Sequence, residues 1–330
     1  MFTTHWLYPS DNIEATHGVL STFQKILQAH ELSQANAEDY RINLGTLEAI
    51  SLAAAGRNLE LNLLAWDMME AFGHAPTEGM FEDVILSFAA TRQDENMFLA
   101  LVEMGNSGFM PSRALLRYLA LKVSYREKRL HHSQKMLSWR DNGHLISIHS
   151  MNVLLMGYII RKDINATWRV YTSMFEGLSM FNLKPDANTF AFLMESLYIN
   201  TKDRFPFSAN EPLACTKEDI EDTLGASEII VEAMEEAGVK KTKHFFHEHM
   251  RLFCALGLLE NALSVFQEAL SVGPLLPASI VLLATRLAHA GDFEMARAVA
   301  ESSVVAGCGE LPHLDQHINN IESQRNQNSG

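Results

Sequence analysis

The sequence predicts an all-α protein in which helical hairpins stack side by side into a superhelix. Three observations support this prediction. Prolines recur 35 residues apart, apolar residues and glycines recur in one order within that interval, and no stretch alternates between apolar and polar residues as a strand does. The 330 residues are ample for a sizeable core.

The prolines set the frame of the repeats. Pro76 and Pro111 are 35 residues apart, and so are Pro277 and Pro312. With these prolines at or next to the end of a repeat, places 24 and 27 hold bulky apolar residues in repeats 1 to 4, and place 31 holds glycine in repeats 1 to 3. The repeats are 43–77, 78–112, 113–147, 148–186, 187–242, 243–277 and 278–312, numbered 1 to 7.

Each repeat is predicted to be a pair of helices. In repeat 2, apolar residues at i, i+3, i+4 and i+7 from Phe81 mark one helical face, and a second apolar stripe from Met97 to Met104 follows a turn at 92–95. Gly108 can end the second helix in the left-handed conformation, and Pro111 blocks its continuation. A single hairpin cannot bury its own apolar faces, so neighbouring hairpins must stack.

The remaining segments depart from the regular repeat. Repeat 5 spans 56 residues and so carries an insertion, placed at about 200–223, where prolines, Asn and Ser lie among charges without an apolar stripe. Residues 1–42 are predicted to form an N-terminal helix that caps the stack. Residues 313–330 are predicted to be a polar tail with a short helix near 314–321.

Composition excludes several classes of protein. The formal net charge of −14 argues against coating nucleic acid by bulk electrostatics, and no apolar run is long enough to span a membrane. The three cysteines have neither disulfide-like nor metal-ligand spacing, which favours a reducing compartment and a role as buried apolar residues. The first 24 residues lack Lys and Arg, so no secretory or transit peptide is recognisable there.

Repeat 4 carries a family resemblance. Its segments SMNVLLMGYIIRKDINATWRVYTSMF and LKPDANTFAFLMESLY resemble the pentatricopeptide repeat family, in which Asn, Leu-Ile, Gly-Tyr, a later Met and Pro-Asp stand at these places. The matching residues are Asn152, Leu154, Leu155, Gly157, Tyr158, Tyr171, Met174, Pro185, Asp186 and Thr189. The resemblance implies a right-handed superhelix that binds single-stranded RNA in an organelle, the mitochondrion or alternatively the chloroplast, with one base read per repeat.

The resemblance also indicates which residues would read a base. In the family these are the fifth and last residues of a repeat, here Asn152 and Asp186 in repeat 4, a pair that favours uridine. The pairs of the other repeats, such as Leu47 with Thr77 and Glu82 with Ser112, are not familiar reading pairs. In the alternative interpretation, Asn152 hydrogen-bonds within the hairpin and Asp186 caps the next helix.

Charge is distributed unevenly among the repeats. Repeats 1 and 2 carry net charges of −3 and −5, whereas repeat 3 carries +6 from eight basic and two acidic side chains. Arg113, Arg117, Lys122 and Arg126 open this basic repeat, and we expect them to contact a short RNA backbone segment. They could equally be solvated outer residues or face an acidic protein.

Catalysis and cofactor binding find little support in the sequence. His244, His247 and His249 lie close together, but no carboxylate or cysteine stands at a fixed spacing from them, so we expect no metal site. No nucleotide-binding or nucleophile motif occurs, and no cofactor is expected. The sequence thus favours a non-catalytic RNA-binding protein of organellar post-transcriptional gene expression, acting on transcript stability, processing or translation. The alternative is a protein-binding scaffold of a mitochondrial ribosome or assembly complex.

Overall fold

The structure is a computed structural model that describes Lys25 and residues 42–126, 147–175, 183–204 and 215–328. Over these residues it contains fourteen helices and no strand, which confirms the all-α prediction. The helices are α1 (Leu44–Ala54), α2 (Leu59–Ala71), α3 (Glu78–Ala90), α4 (Asp94–Asn106), α5 (Arg113–Arg126), α6 (Ile148–Ile160), α7 (Ile164–Phe175), α8 (Ala187–Arg204), α9 (Lys217–Glu236), α10 (Lys243–Leu256), α11 (Leu259–Val272), α12 (Pro277–Ala290), α13 (Phe293–Glu301) and α14 (Pro312–Asn328).

The chain divides into two units, Met1–Ser150 and Met151–Gly330. In the N-terminal unit, α1 packs against α2 and α3, and α3 packs against α4 and α5. Helices α1 and α3 therefore each contact their hairpin partner and the first helix of the next repeat. The core between the first two hairpins includes Leu47, Ile50, Ala65, Met69 and Met80. This is the nearest-neighbour stacking that an array of helical repeats requires.

The C-terminal unit repeats the same pattern of packing. Helix α8 packs against α9 and α10, α10 against α11 and α12, and α12 against α13. The final helix, α14, covers α12 and α13. Leu314, Ile318 and Ile321 lie on one face of α14 and are buried against this core. The predicted polar tail thus contains a helix longer than expected. Beyond residue 321 this helix is held by contacts of Glu322 with Arg297 and of Arg325 with the carbonyl of His289.

The first helices begin where the repeat frame begins. Helices α3, α5, α6, α8 and α10 start at the first residue of repeats 2 to 6. In each case the side-chain oxygen of the preceding residue accepts a hydrogen bond from a backbone N–H three residues on, at 2.8–3.4 Å. These N-cap residues are Thr77, Ser112, Ser147, Asp186 and Thr242. The last place of a repeat is therefore the N-cap of the next first helix.

Glycine at place 31 ends second helices in a common geometry. Gly73, Gly108 and Gly238 have φ of +71°, +82° and +66°. In repeat 2, the Gly108 N–H bonds the Gly105 carbonyl and the Phe109 N–H bonds the Met104 carbonyl, which is a Schellman motif. Met104 is at place 27, and its side chain is fully buried. The recurring Met and Gly are thus two parts of one helix terminus.

Several predicted segments lie partly or wholly outside the described residues. These are residues 1–42 apart from Lys25 and Ile42, and the second helix expected in repeat 3. The predicted insertion at 200–223 overlaps the last turn of α8 and the start of α9. Helix α9 begins at Lys217 because Thr216 and Asp219 form a capping box. Among the described helices, none is long and apolar enough to cross a membrane.

Candidate functional site

Three basic side chains of repeat 3 lie on helix α5. Arg117 and Lys122 are exposed, and Arg113 is half-buried at the start of the helix. The Nζ atom of Lys122 lies 5.2 Å from the centre of the Tyr118 ring, a cation–π distance. The side chain of Arg126 lies outside the described residues. Helix α5 thus combines exposed positive charge with a half-buried aromatic ring.

The predicted base-reading residues of repeat 4 contact each other. Asn152 is fully buried, and its Nδ2 donates a hydrogen bond to Oδ1 of Asp186 at 2.9 Å. Oγ1 of Thr189 lies 2.9 Å from both Oδ1 of Asn152 and Oδ1 of Asp186. Oδ1 of Asp186 also accepts the Thr189 N–H at 2.8 Å, which caps α8. This geometry corresponds to the alternative in which Asn152 and Asp186 hydrogen-bond within the protein.

Fifth-place side chains make a comparable contact in two other repeats. In repeat 2, Oε1 of Glu82 accepts the backbone N–H of Ser112 at 2.7 Å. In repeat 6, Nδ1 of His247 lies 2.9 Å from Oγ of Ser279, near the start of α12. Together with Asn152, these residues join one first helix to the start of the next. The fifth place therefore serves as a structural connection between repeats.

Helices α1, α3 and α5 line an open groove of about 480 Å³. These are the first helices of repeats 1 to 3. Glu48, Glu82 and Asp83 contribute carboxyl groups to the groove, and Leu52, Leu86 and Tyr118 contribute apolar surface. None of the residues that line it is basic. Its electrostatic character is thus opposite to that of the exposed Arg117 and Lys122.

Asp83 is an unusual carboxyl group in this groove. It is 5% exposed. Burial raises its pKa to about 7, with a smaller contribution from the nearby carboxylates of Glu82 and Glu48, although a hydrogen bond with Ser51 acts in the opposite direction. A buried carboxyl group without a compensating cation favours its neutral form. The negative charge of the groove therefore comes mainly from Glu48 and Glu82, whereas Asp83 is only partly ionised near neutral pH.

A buried hydrogen-bond network lies beside Asp83 and connects repeats 1 and 2. Oγ of Ser51 donates to Oδ1 of Asn62 at 2.8 Å, and Nδ2 of Asn62 donates to Oγ of Ser87 at 3.0 Å. Oγ of Ser87 donates in turn to the carbonyl of Asp83 at 3.0 Å. The three side chains have exposures of 1% or less. Their mutual hydrogen bonds fix the position of α1 and α2 relative to α3.

The histidines of repeat 6 are used in packing. The His249 ring lies between Phe245 and Phe253, at centroid distances of 5.8 and 4.4 Å. Burial lowers the pKa of His249 to about 4, with Lys241 adding to the effect. Within the described residues, no group of three or more His, Cys, Asp or Glu side chains could hold a metal ion.

A partly buried ion pair lies between α8 and α10. The Arg251 guanidinium lies 3.9 Å from the centre of the Tyr198 ring and pairs with the buried Glu248 at 3.1 Å. Because this arginine is paired and stacked, its charge is largely compensated within the protein. Sequence reasoning found neither this group nor the acidic groove, since both depend on which residues of successive repeats face each other.

Comparison with known proteins supports the family resemblance. Residues 45–174 match the family model described as pentatricopeptide repeat-containing protein. Over this segment the chain is similar to the pentatricopeptide repeat family. It includes the groove, helix α5 and most of repeat 4. The repeats that follow the matched segment pack in the same hairpin pattern. No curated protein sequence matches the chain significantly.

Solved structures of the family resemble the chain only distantly. One is the pentatricopeptide repeat protein PPR10 in complex with an 18-nt psaJ RNA element, which is 15% identical over 85% of this chain and 51% of its own, with a TM-score of 0.29. Another, PPR10 from maize, is 13% identical over 92% of this chain and 59% of its own, with a TM-score of 0.26. The chain therefore spans little more than half of their length. The helical-repeat fold is shown by the packing of the hairpins in this chain and not by these likenesses.

Proposed function

We propose that the protein is a helical-repeat RNA-binding protein that holds a short single-stranded RNA on helix α5. The observation that carries this proposal is the exposure of Arg117 and Lys122 on the first helix of a pentatricopeptide repeat. Each phosphate that such a side chain neutralises releases condensed counterions, which favours binding and makes it dependent on salt.

Tyr118 supplies the second part of this interface. Aromatic side chains bind single-stranded nucleic acid by stacking on its bases, which is tolerant of sequence. Tyr118 lies between Arg117 and Lys122 and retains partial exposure. The acidic residues Glu48 and Glu82 on α1 and α3 repel phosphate, so the RNA contact stays short.

Base reading by Asn152 and Asp186 is a separate proposal. For Asn152 to contact uridine, its amide must leave Oδ1 of Asp186 or bind the base with its remaining hydrogen. We therefore propose that most of the affinity comes from the RNA backbone and from stacking, and that repeat 4 adds at most a preference for uridine.

The proposed cellular role rests on the resemblance to the pentatricopeptide repeat family. We propose that the protein acts without catalysis in mitochondrial gene expression, where occupancy of a transcript alters its stability, processing or translation. The three free cysteines are compatible with a reducing compartment. Fractionation of cells with the tagged protein tests the organelle directly.

The proposed interface is tested by the binding of short U-rich RNA to the purified full chain over a range of salt concentrations. Arg117→Gln and Lys122→Gln together should weaken binding by about tenfold and reduce the salt slope by about two, because two phosphate contacts are lost. Lys240→Gln is the matched control, since Lys240 is exposed on a loop before α10. Equal loss in the control variant, or no loss in the double variant, would contradict the proposal.

A second candidate function is that of a protein-binding scaffold of a mitochondrial ribosome or assembly complex. The specific observation that favours it is the acidic groove of α1, α3 and α5. A scaffold would retain its partner proteins through purification at salt concentrations that remove RNA. Proteins that leave together with RNA after nuclease treatment would argue for RNA binding alone.

A further inference from the structure

The groove between α1, α3 and α5 has a composition that RNA binding does not explain. Its three carboxyl groups belong to Glu48, Glu82 and Asp83, and its lining includes no Lys, Arg or His. Glu48 and Glu82 are half-buried, so their charges are only partly screened by water. A phosphate backbone in this groove would meet like charge at short range, which costs binding energy.

Apolar surface accompanies the negative charge. Leu52 on α1 is 49% exposed. Leu86 on α3 and Tyr118 on α5 are half-buried and line the same groove. The groove volume of about 480 Å³ lies within the range of ligand pockets and accommodates several side chains of a peptide. Negative charge beside exposed apolar surface fits an occupant that carries both cationic and apolar groups.

Asp83 adds a second argument for a cationic occupant. Burial and the neighbouring carboxylates raise its pKa to about 7, and none of the residues that line the groove is basic. A cation placed near it would favour the ionised form and gain an ion pair at low exposure. The site is therefore electrostatically complementary to Lys or Arg.

We propose that this groove binds a basic amphipathic segment of a partner protein. Its Lys or Arg side chains pair with Glu48, Glu82 and Asp83, and its apolar side chains cover Leu52, Leu86 and Tyr118. The inference does not depend on RNA binding at Arg117 and Lys122, and either can fail without the other. It assigns the groove to a protein and the exposed Arg117 and Lys122 to RNA, with Tyr118 at the border between the two surfaces.

The test uses the full chain and a labelled synthetic peptide of about four helical turns, with Lys along one face and Leu along the other. Glu48→Gln with Glu82→Gln should weaken its binding by roughly tenfold, since two charge pairs are lost. Glutamine at position 82 keeps an oxygen that can accept the Ser112 N–H. Leu52→Ser should weaken binding by about fivefold through lost apolar contact.

Two controls separate the groove from general attraction. Glu103→Gln removes an exposed carboxylate from α4, outside the groove, and should leave the peptide affinity unchanged. A peptide in which Glu replaces every Lys should not bind. Unfolding curves of the variants identify any loss of fold, and Leu52→Ser, at an exposed position, provides an independent variant if the double substitution is unstable.

The proposal would be overturned if the Glu103 variant lost as much affinity as the groove variants, or if the Glu-containing peptide bound equally well. Competition between U-rich RNA and the peptide that persists in the Arg117→Gln, Lys122→Gln variant would also overturn it, because the groove would then be an RNA site.

Discussion

The side-chain amide of Asn152 donates a hydrogen bond to Oδ1 of Asp186 at 2.9 Å, and this bond joins α6 to the start of α8. Asp186 at the same time caps α8 through Thr189. The two residues that the family resemblance assigns to one base are thus also the connection between two repeats.

Asn152→Ala is expected to lower the free energy of unfolding by about 1–3 kcal/mol, because buried oxygens of Asp186 and Thr189 lose a partner. Urea unfolding followed by circular dichroism measures the change. Asn165→Ala, at an exposed position on α7, is the control and should change stability by less than about 0.5 kcal/mol. Equal stability of the Asn152 and Asn165 variants would show that the connection is unimportant.

Two glycines associated with α9 should respond to alanine in opposite directions. Gly238 has φ of +66°, where alanine is strained, so Gly238→Ala should destabilise the protein by about 1 kcal/mol. Gly225 lies inside α9 with open space where the methyl group of an alanine would lie, so Gly225→Ala should stabilise the protein by up to about 1 kcal/mol. Thermal unfolding of the two variants measures the difference. A change of the same sign in both would contradict the assigned helix terminus.

The carboxyl group of Asp83 should make stability depend on pH. Its pKa in the folded protein is about 7, above its ordinary value of 3.8, so the folded state holds the proton more tightly than the unfolded state. Its contribution is present below pH 4 and is lost as the pH rises toward 7.

Asp83→Asn should remove that loss. Relative to the unsubstituted chain, the free energy of unfolding of the variant should increase by up to roughly 3 kcal/mol between pH 5 and pH 8. Chemical unfolding at the two pH values measures the gain. Asp67→Asn, at an exposed position on α2, serves as the control and should show no such pH-dependent gain. A parallel pH profile for the Asp83 variant and the unsubstituted chain would be inconsistent with a buried, protonated carboxyl group.

The fold could be predicted because its signals are local. Gly108 and Met104 belong to one helix terminus, and Thr77 or Ser112 caps the helix that follows, so each signal acts within a few residues. Helix α14 was predicted too short because its last turns contact residues distant in sequence, Glu322 with Arg297 and Arg325 with the carbonyl of His289.

The candidate site was only partly predictable, since its geometry is set between repeats. The sequence showed that repeats 1 and 2 are acidic, but not that Glu48 and Asp83 line one groove with Leu52. Nor could it decide whether Asn152 faces solvent or Asp186. That outcome depends on the separation of α6 and α8, which no single repeat determines.

Ultraviolet crosslinking in cells, followed by mass spectrometry of the crosslinked peptides, tests the central claim of RNA binding most directly. The account predicts short RNA adducts on the tryptic peptide of α5 that follows Arg117, ends at Lys122 and contains Tyr118. It also predicts that Arg117→Gln with Lys122→Gln removes the adducts, measured on the longer tryptic peptide 114–126 that this variant yields, while Lys240→Gln keeps them. Protein recovered without any RNA adduct, or with adducts confined to α1 and α3, would contradict the account.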